Sequence, residues 1–208
     1  MTQRGRYLVL EGGEGVGKTT QVARIAARLD AAGLGVVAIR EPGGDPFAEA
    51  GRHLLLGDLP REPQTEVLLF NALRAQVLLT QVMPSLAAGL WVISDRSRLS
   101  TITYQGHGHG LDLAWTRAVC ATCSGLCAPD LEIVLHVDEA TSRRRRADRG
   151  TIDRFEQLDD AFHRRVVDGY LVEAARDGIP VIDASDTEDK VELAIWQAIE
   201  PLVPEARG

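Results

Sequence analysis

The chain has 208 residues, 45% hydrophobic and 25% charged, with 20 glycines and a formal net charge of −7, which excludes a disordered, collagen-like or disulfide-stapled polypeptide and fits one globular unit with a sizeable core. The negative balance argues against a broad nucleic-acid interface, which needs a basic face to replace the counterions of many phosphates. No uninterrupted apolar stretch approaches the roughly 18 residues of a bilayer span, and MTQRGR leads into a strand instead of a signal peptide, so we expect a cytoplasmic protein with neither nucleic acid nor membrane as partner.

RYLVLE predicts a buried strand near the N-terminus. Behind Lys18, the residues Val22, Ile25, Ala26 and Leu29 recur at helical spacing, and the pattern ends near Gly33. GVVAI at 35–39 reads as a second strand and REPGG as a turn-rich loop after it. Two helices are predicted next, around Phe47 to Leu56 and Gln64 to Ala88, the second carrying Val67, Leu68, Ala75, Leu78 and Leu79. LWVIS at 90–94 is a third strand running into Asp95, and YQGHGHG predicts a glycine-rich loop before another helix. That helix carries Cys120, Cys123 and Cys127, whose spacings of three and four place the thiols on one buried face. A zinc site would need a fourth ligand, for which His107 and His109 are the sequence neighbours.

LEIVLHV at 131–137 and IPVIDA at 179–184 supply two more strands. Continuous apolar strands alternating with helices define an α/β protein with a mainly parallel sheet covered on both faces. In such sheets chemistry gathers at the carboxyl ends of the strands, where the suggestive polar stretches of this chain lie. No repeat, low-complexity tract or linker divides the chain, so a single domain over 1–208 is expected.

Gly12, Gly17, Lys18 and Thr19 match G-x-x-x-x-G-K-[ST] between a strand and a helix. Glycines let such a loop curl until its backbone N–H groups, from Gly12 through Gly13, Glu14, Gly15, Val16, Gly17 and Lys18 to Thr19 and Thr20, face the phosphates of ATP. Lys18 bridges phosphate oxygens and the Thr19 hydroxyl ligates Mg²⁺. Asp95 is the acidic partner at the end of its strand, for the magnesium shell or a substrate group, and Arg96 beside it suits a second phosphate. Glu14 within the loop would be costly against phosphates unless a cation or a sugar hydroxyl meets it, so it is expected to face the acceptor or the metal. A GTP switch lacks its base-reading Asn-Lys-x-Asp, since the one asparagine is Asn71, followed by alanine. A regulatory or motor ATPase stays open from the loop alone.

EGGEGVGKTT, REPGG, LLFNALRAQ, SDR, YQG and DRFE, in this order and spacing, resemble the thymidylate kinase family over Tyr7 to about Ala184. The resemblance implies a P-loop nucleoside monophosphate kinase fold: a five-stranded parallel sheet flanked by helices, with a lid at about 142–156. It also implies a homodimer, Mg²⁺ held at Thr19 and Asp95, and phosphoryl transfer from ATP to dTMP. By the same resemblance Phe70 stacks on thymine and Arg74, four positions on, contacts the base or its phosphate, with Glu41 and Pro42 on the acceptor side. Arg52 and Arg96 bind the dTMP phosphate, Thr101 and Gln105 meet the thymine edge, and Tyr104 lies against the deoxyribose. Lys18, Glu14, Asp95, Arg96 and Arg149 form the catalytic set, the last from the lid, assisted by Arg145 and Arg146, while Arg154 and Glu156 pin the lid's base. The chain departs from the family's usual residues at Asp45, Ser97 and His109.

Overall fold

A computed structural model of the chain describes residues 4–147, 155 and 158–204. Five strands, β1 (Tyr7–Glu11), β2 (Val36–Arg40), β3 (Trp91–Asp95), β4 (Leu131–His136) and β5 (Val181–Asp183), form one parallel sheet in the order β2-β3-β1-β4-β5. β1 is buried at every position because it is central and covered on both faces. The order reverses at β1, which puts the loop after β1 in the crevice where such sheets bind ligands.

The helices are α1 (Lys18–Ala31), α2 (Pro46–Leu56), α3 (Pro63–Val77), α4 (Met83–Ala87), α5 (Arg98–Thr101), α6 (Leu113–Ser124), α7 (Glu139–Ala147), α8 (Asp160–Asp177) and α9 (Glu188–Ile199). Their starts follow local rules: Asp45, Asp112 and Asp159 accept from the backbone N–H of Ala48, Trp115 and Phe162 at 2.8, 2.7 and 2.7 Å. α1 and α9 cover one face of the sheet through Ile25, Leu29, Ile195 and Ile199. The other face is covered by Leu73 and Val77 of α3 and by Phe162, Val166 and Tyr170 of α8.

The helix predicted over 64–88 is present as one run, Pro63–Ala87, in which α3 and α4 are continuous through a widened π-helical turn, Leu78–Val82, whereas the YQGHGHG loop and the shared face of the three thiols are corrected. By length and composition this run, Pro63–Ala87, meets the requirement for crossing a membrane, which counting uninterrupted apolar residues missed. Its Glu66, Asn71 and Arg74 are buried against neighbouring elements, as in a core helix.

Most of YQGHGHG is not a loop: Ile102–Gly108 forms a second π-helical segment continuing α5, and only His109 and Gly110 lie in a turn after it. Tertiary packing overrides the low helix propensity of glycine there, because α8 leaves no room for larger residues. A Cβ on Gly108 would stand 2.6 Å from the Phe162 ring of α8, and reciprocally one on Gly169 of α8 would stand 2.7 Å from the His107 ring. The three thiols do not share one buried face either, since α6 ends at Ser124, and only Cys120 is fully buried while Cys123 and Cys127 are half-buried.

Candidate active site

β1 ends at Glu11 and the chain curls through Gly12, Gly15 and Gly17, each with positive φ, before α1 begins at Lys18. At Gly15 a side chain is excluded twice, by φ of +73° and by the Ser142 carbonyl oxygen, 2.7 Å from where a Cβ would sit. Ser142 of α7 also donates to the Glu14 carbonyl at 2.8 Å, so α7 braces the loop. Lys18 is buried, and its Nζ donates to the carbonyls of Gly12 and Gly13 at 3.0 and 2.7 Å. Burial, then the nearby Arg96 charge, lowers its pKa to about 8. Thr19 Oγ1 donates to Asp95 Oδ2 at 2.6 Å, so two hard oxygens from different elements already meet, a donor set that fits a divalent cation of the Mg²⁺ type. Val16 belongs to the core and Thr20 is exposed.

Arg96 follows β3 with φ of 76°, the left-handed region, which a non-glycine residue holds only where its surroundings force it. Its N–H donates to the Leu10 carbonyl at 2.9 Å and its carbonyl accepts from Ser94 Oγ at 2.7 Å. That strained turn throws the guanidinium across the crevice, where it pairs with Glu14 and donates to the Gly12 carbonyl at 3.1 Å. Tyr104 donates to the same Glu14 carboxylate at 2.7 Å, and Arg96 lies over its ring at 5.3 Å. Glu14 thus turns toward the acceptor side of the crevice.

Beneath them Glu11, fully buried, accepts from the N–H of Ser97 at 2.8 Å and of Ser100 at 3.2 Å and from Ser100 Oγ at 2.6 Å. It caps α5 and fixes the turn that presents Arg96. Its role has no signal in the local sequence, because these partners lie more than eighty positions away.

One cavity of about 630 Å³ runs from Lys18 and Thr19 to Phe70, Arg74, Tyr104 and Gln105. Arg74 is buried, and four N–H donations hold it: Nε to Glu41 at 2.7 Å, Nη1 to Asn71 Oδ1 at 2.8 Å, and Nη2 to the Ser97 carbonyl at 2.9 Å and Thr101 Oγ1 at 3.0 Å. Burial is the largest single influence and works against its charge, but Glu41 together with Glu11 and its other neighbours more than offsets it and raises the pKa.

Arg52 reaches the cavity while donating to the Pro42 carbonyl at 2.8 Å. Phe70 is half-buried on its wall. Phe155, the aromatic residue of DRFE, also lines this wall without a signal in sequence to mark it, 6.3 Å from the Phe70 ring and edge-on to Tyr104 at 5.7 Å.

The positions of departure are absorbed by the fold. Ser97 Oγ donates to Glu41 at 3.4 Å, Asp45 caps α2 and receives Gln76 and Thr80 at 3.0 and 2.8 Å, and the His109 ring lies 4.9 Å from Phe162. Arg145 stands beside the phosphate loop, donating to the Ala184 carbonyl at 3.0 Å. The Arg146 side chain, Arg149, Arg154 and Glu156 lie outside the described residues.

A phosphate loop and its carboxylate at one end of a cavity, with an aromatic and arginine-lined acceptor pocket at the other, on a sheet of order 2-3-1-4-5, define a P-loop nucleoside monophosphate kinase. The family model described as thymidylate kinase matches residues 10–195. The thymidylate kinase of Deinococcus radiodurans is 43% identical over 199 residues, covering 94% of this chain and 97% of that one. That of Thermomicrobium roseum is 42% identical over 204 residues, 97% of each. The crystal structure of thymidylate kinase from Ehrlichia chaffeensis superposes with a TM-score of 0.77 at 27% identity, covering 94% of this chain and 99% of that one. The chain belongs to the thymidylate kinase family.

Proposed function

We propose that the chain, as a single kinase domain over 1–208 with a lid at about 142–156, transfers the γ-phosphoryl group of ATP to dTMP, giving ADP and dTDP, as a cytoplasmic homodimer. What carries this reading is the continuity of the cavity from Lys18 and Thr19 of the phosphate loop and α1 to Phe70, Arg74 and Gln105, which lets a phosphate held at the first end face a ligand seated at the second.

A phosphate oxygen of dTMP attacks the γ-phosphorus, the bond to the β,γ-bridging oxygen breaks, and its electrons leave with ADP. The attacking oxygen is already nucleophilic, so the protein's task is alignment and charge neutralisation and needs no strong general base. Lys18 neutralises the donor phosphates, and the loop N–H groups hold them. Arg96, now paired with Glu14, exchanges part of that pairing for the dTMP phosphate, with Arg52 on its other side. Glu14, held by Tyr104, supports the sugar side, and Tyr104 crowds the position a 2′-hydroxyl would take. Thr19 and Asp95 are the residues that would hold Mg²⁺, which when bound screens the phosphate charges. Arg149, with Arg145 and Arg146, supplies the cationic cover of the lid.

The test is ADP formation from ATP and Mg²⁺ with dTMP, dUMP, UMP, dCMP, CMP, AMP and dGMP as acceptors. Strong preference for dTMP supports the reading; preference for another acceptor keeps the kinase and overturns the thymine pocket, and no acceptor-dependent turnover overturns both. Arg149→Ala should lower kcat with the fold intact, and full activity in that variant removes the lid assignment.

A further inference from the structure

Gln105 lies on the cavity wall, fully buried, and its two amide ends have different fates. Nε2 donates to Glu66 Oε2 at 3.1 Å, whereas Oε1 has no hydrogen-bond partner among the described residues. Glu66 is itself fully buried on α3 and accepts from Arg61 Nε at 3.1 Å. Arg61 is anchored in turn, donating to the carbonyls of Leu54, Gly57 and Leu59 at 2.9, 3.0 and 2.8 Å around the C-terminal end of α2. A carboxylate paired with a guanidinium offers only acceptors, so the end of the Gln105 amide that meets it must be the NH₂. The flip of this amide is therefore set by chemistry: the oxygen is the end that Glu66 does not take, buried and unpartnered among the described residues on a side chain that lines the cavity.

We propose that Glu66, held by Arg61, is a positioning residue that determines base specificity by locking Gln105 as an acceptor toward the bound base. The inference rests on the thymine-pocket reading and deepens it. Thymine presents N3–H, a donor that the Gln105 oxygen satisfies. Cytosine presents an unprotonated N3, an acceptor, and an acceptor facing an acceptor leaves two buried groups unpaired. An amide free to rotate would accommodate either base, and the carboxylate removes that freedom. Glu66 is absent from the cavity lining, and the route from it to the base runs through Gln105.

The experiment compares kcat/KM for dTMP and dCMP, and KM for ATP, in the wild-type chain, Glu66→Gln, Gln105→Leu and the double variant. The glutamine at 66 both accepts and donates, so the Gln105 amide can turn over. Glu66→Gln should narrow the dTMP-to-dCMP ratio by about tenfold or more with KM for ATP unchanged. On the Gln105→Leu background it should change the ratio no further. A wild-type chain without dTMP preference overturns the pocket reading and this inference with it. A wild-type preference for dTMP that survives Glu66→Gln, or is lost equally on the Gln105→Leu background, overturns this inference alone. Should the variants not fold, side-chain amide NMR of the wild type decides. The Gln105 NH₂ protons should be exchange-protected and barely shift on adding dTMP, and a large shift on base binding overturns the assignment.

Discussion

Lys18 has its proton affinity lowered by its surroundings. Unfolded it titrates near 10.5, and folded near 8, because the loop buries it beside Arg96. Between those values the unfolded chain binds more protons, so stability rises with pH across that window; below about 8 both states are charged and the folded one carries the full cost of a buried ammonium. Lys18→Met should abolish this rise, which denaturant unfolding of both proteins from pH 7.5 to 10.5 checks. Phosphates restore the charge, so ATP binding near pH 9 should take up a proton, seen as a calorimetric heat that varies with the buffer's ionisation enthalpy.

Arg96→Lys should lower kcat/KM for dTMP by about a hundredfold, because an ammonium cannot span Glu14, the Gly12 carbonyl and a phosphate together. Steady-state kinetics with ATP saturating tests it. These residues were legible in the sequence because the phosphate loop is contiguous and Arg96 adjoins a strand-terminal aspartate. Glu11 and Glu66 were not, since a buried carboxylate looks like any other in sequence and its meaning lies in partners 86 and 39 positions away.

At the scale of elements, the site depends on how Ile102–Gly108 sits on α8. This segment carries Tyr104 and Gln105 on its cavity side, while His107 donates to or accepts from Glu173 at 2.8 Å and Arg117 donates to the same carboxylate at 3.0 and 2.5 Å. Gly169 of α8 lets the His107 ring come close. Gly169→Ala should therefore cost about 1–3 kcal/mol of stability. It should also raise KM for dTMP more than KM for ATP, because the ring can retreat only by moving the backbone that carries the acceptor contacts. Thermal unfolding beside acceptor and donor titrations separates the two effects, and equal changes in both KM values would rule out this route. The strands and flanking helices could be read from sequence because each buries a continuous or periodic apolar face against the sheet. This segment could not, since glycines that signal a turn in isolation also mark close packing, and only the neighbouring helix decides which.

At the scale of the whole molecule, the long helical run over Pro63–Ala87 leaves Leu68, Leu79 and Met83 exposed at 55, 53 and 40%. Their spacings of eleven and four place them on one helical face, opposite the buried Glu66 and Arg74. α6, which packs against α3, adds exposed Trp115, and exposed Leu126 follows just after its C-terminal end. A row of large apolar side chains on a helix already packed on its other side is better covered than solvated, and a second copy of the same chain offers an identical row. Because the inward face of that helix supplies Phe70, Arg74 and Glu66, a dimer through its outward face would stiffen the acceptor pocket of each subunit. Wild-type protein at micromolar concentration should sediment at twice the monomer mass. Leu79→Arg should sediment as a monomer, with KM for dTMP raised and KM for ATP little changed. A wild-type monomer would overturn the dimer, whereas a monomeric Leu79→Arg with unaltered KM for dTMP would keep the interface and sever its link to the pocket.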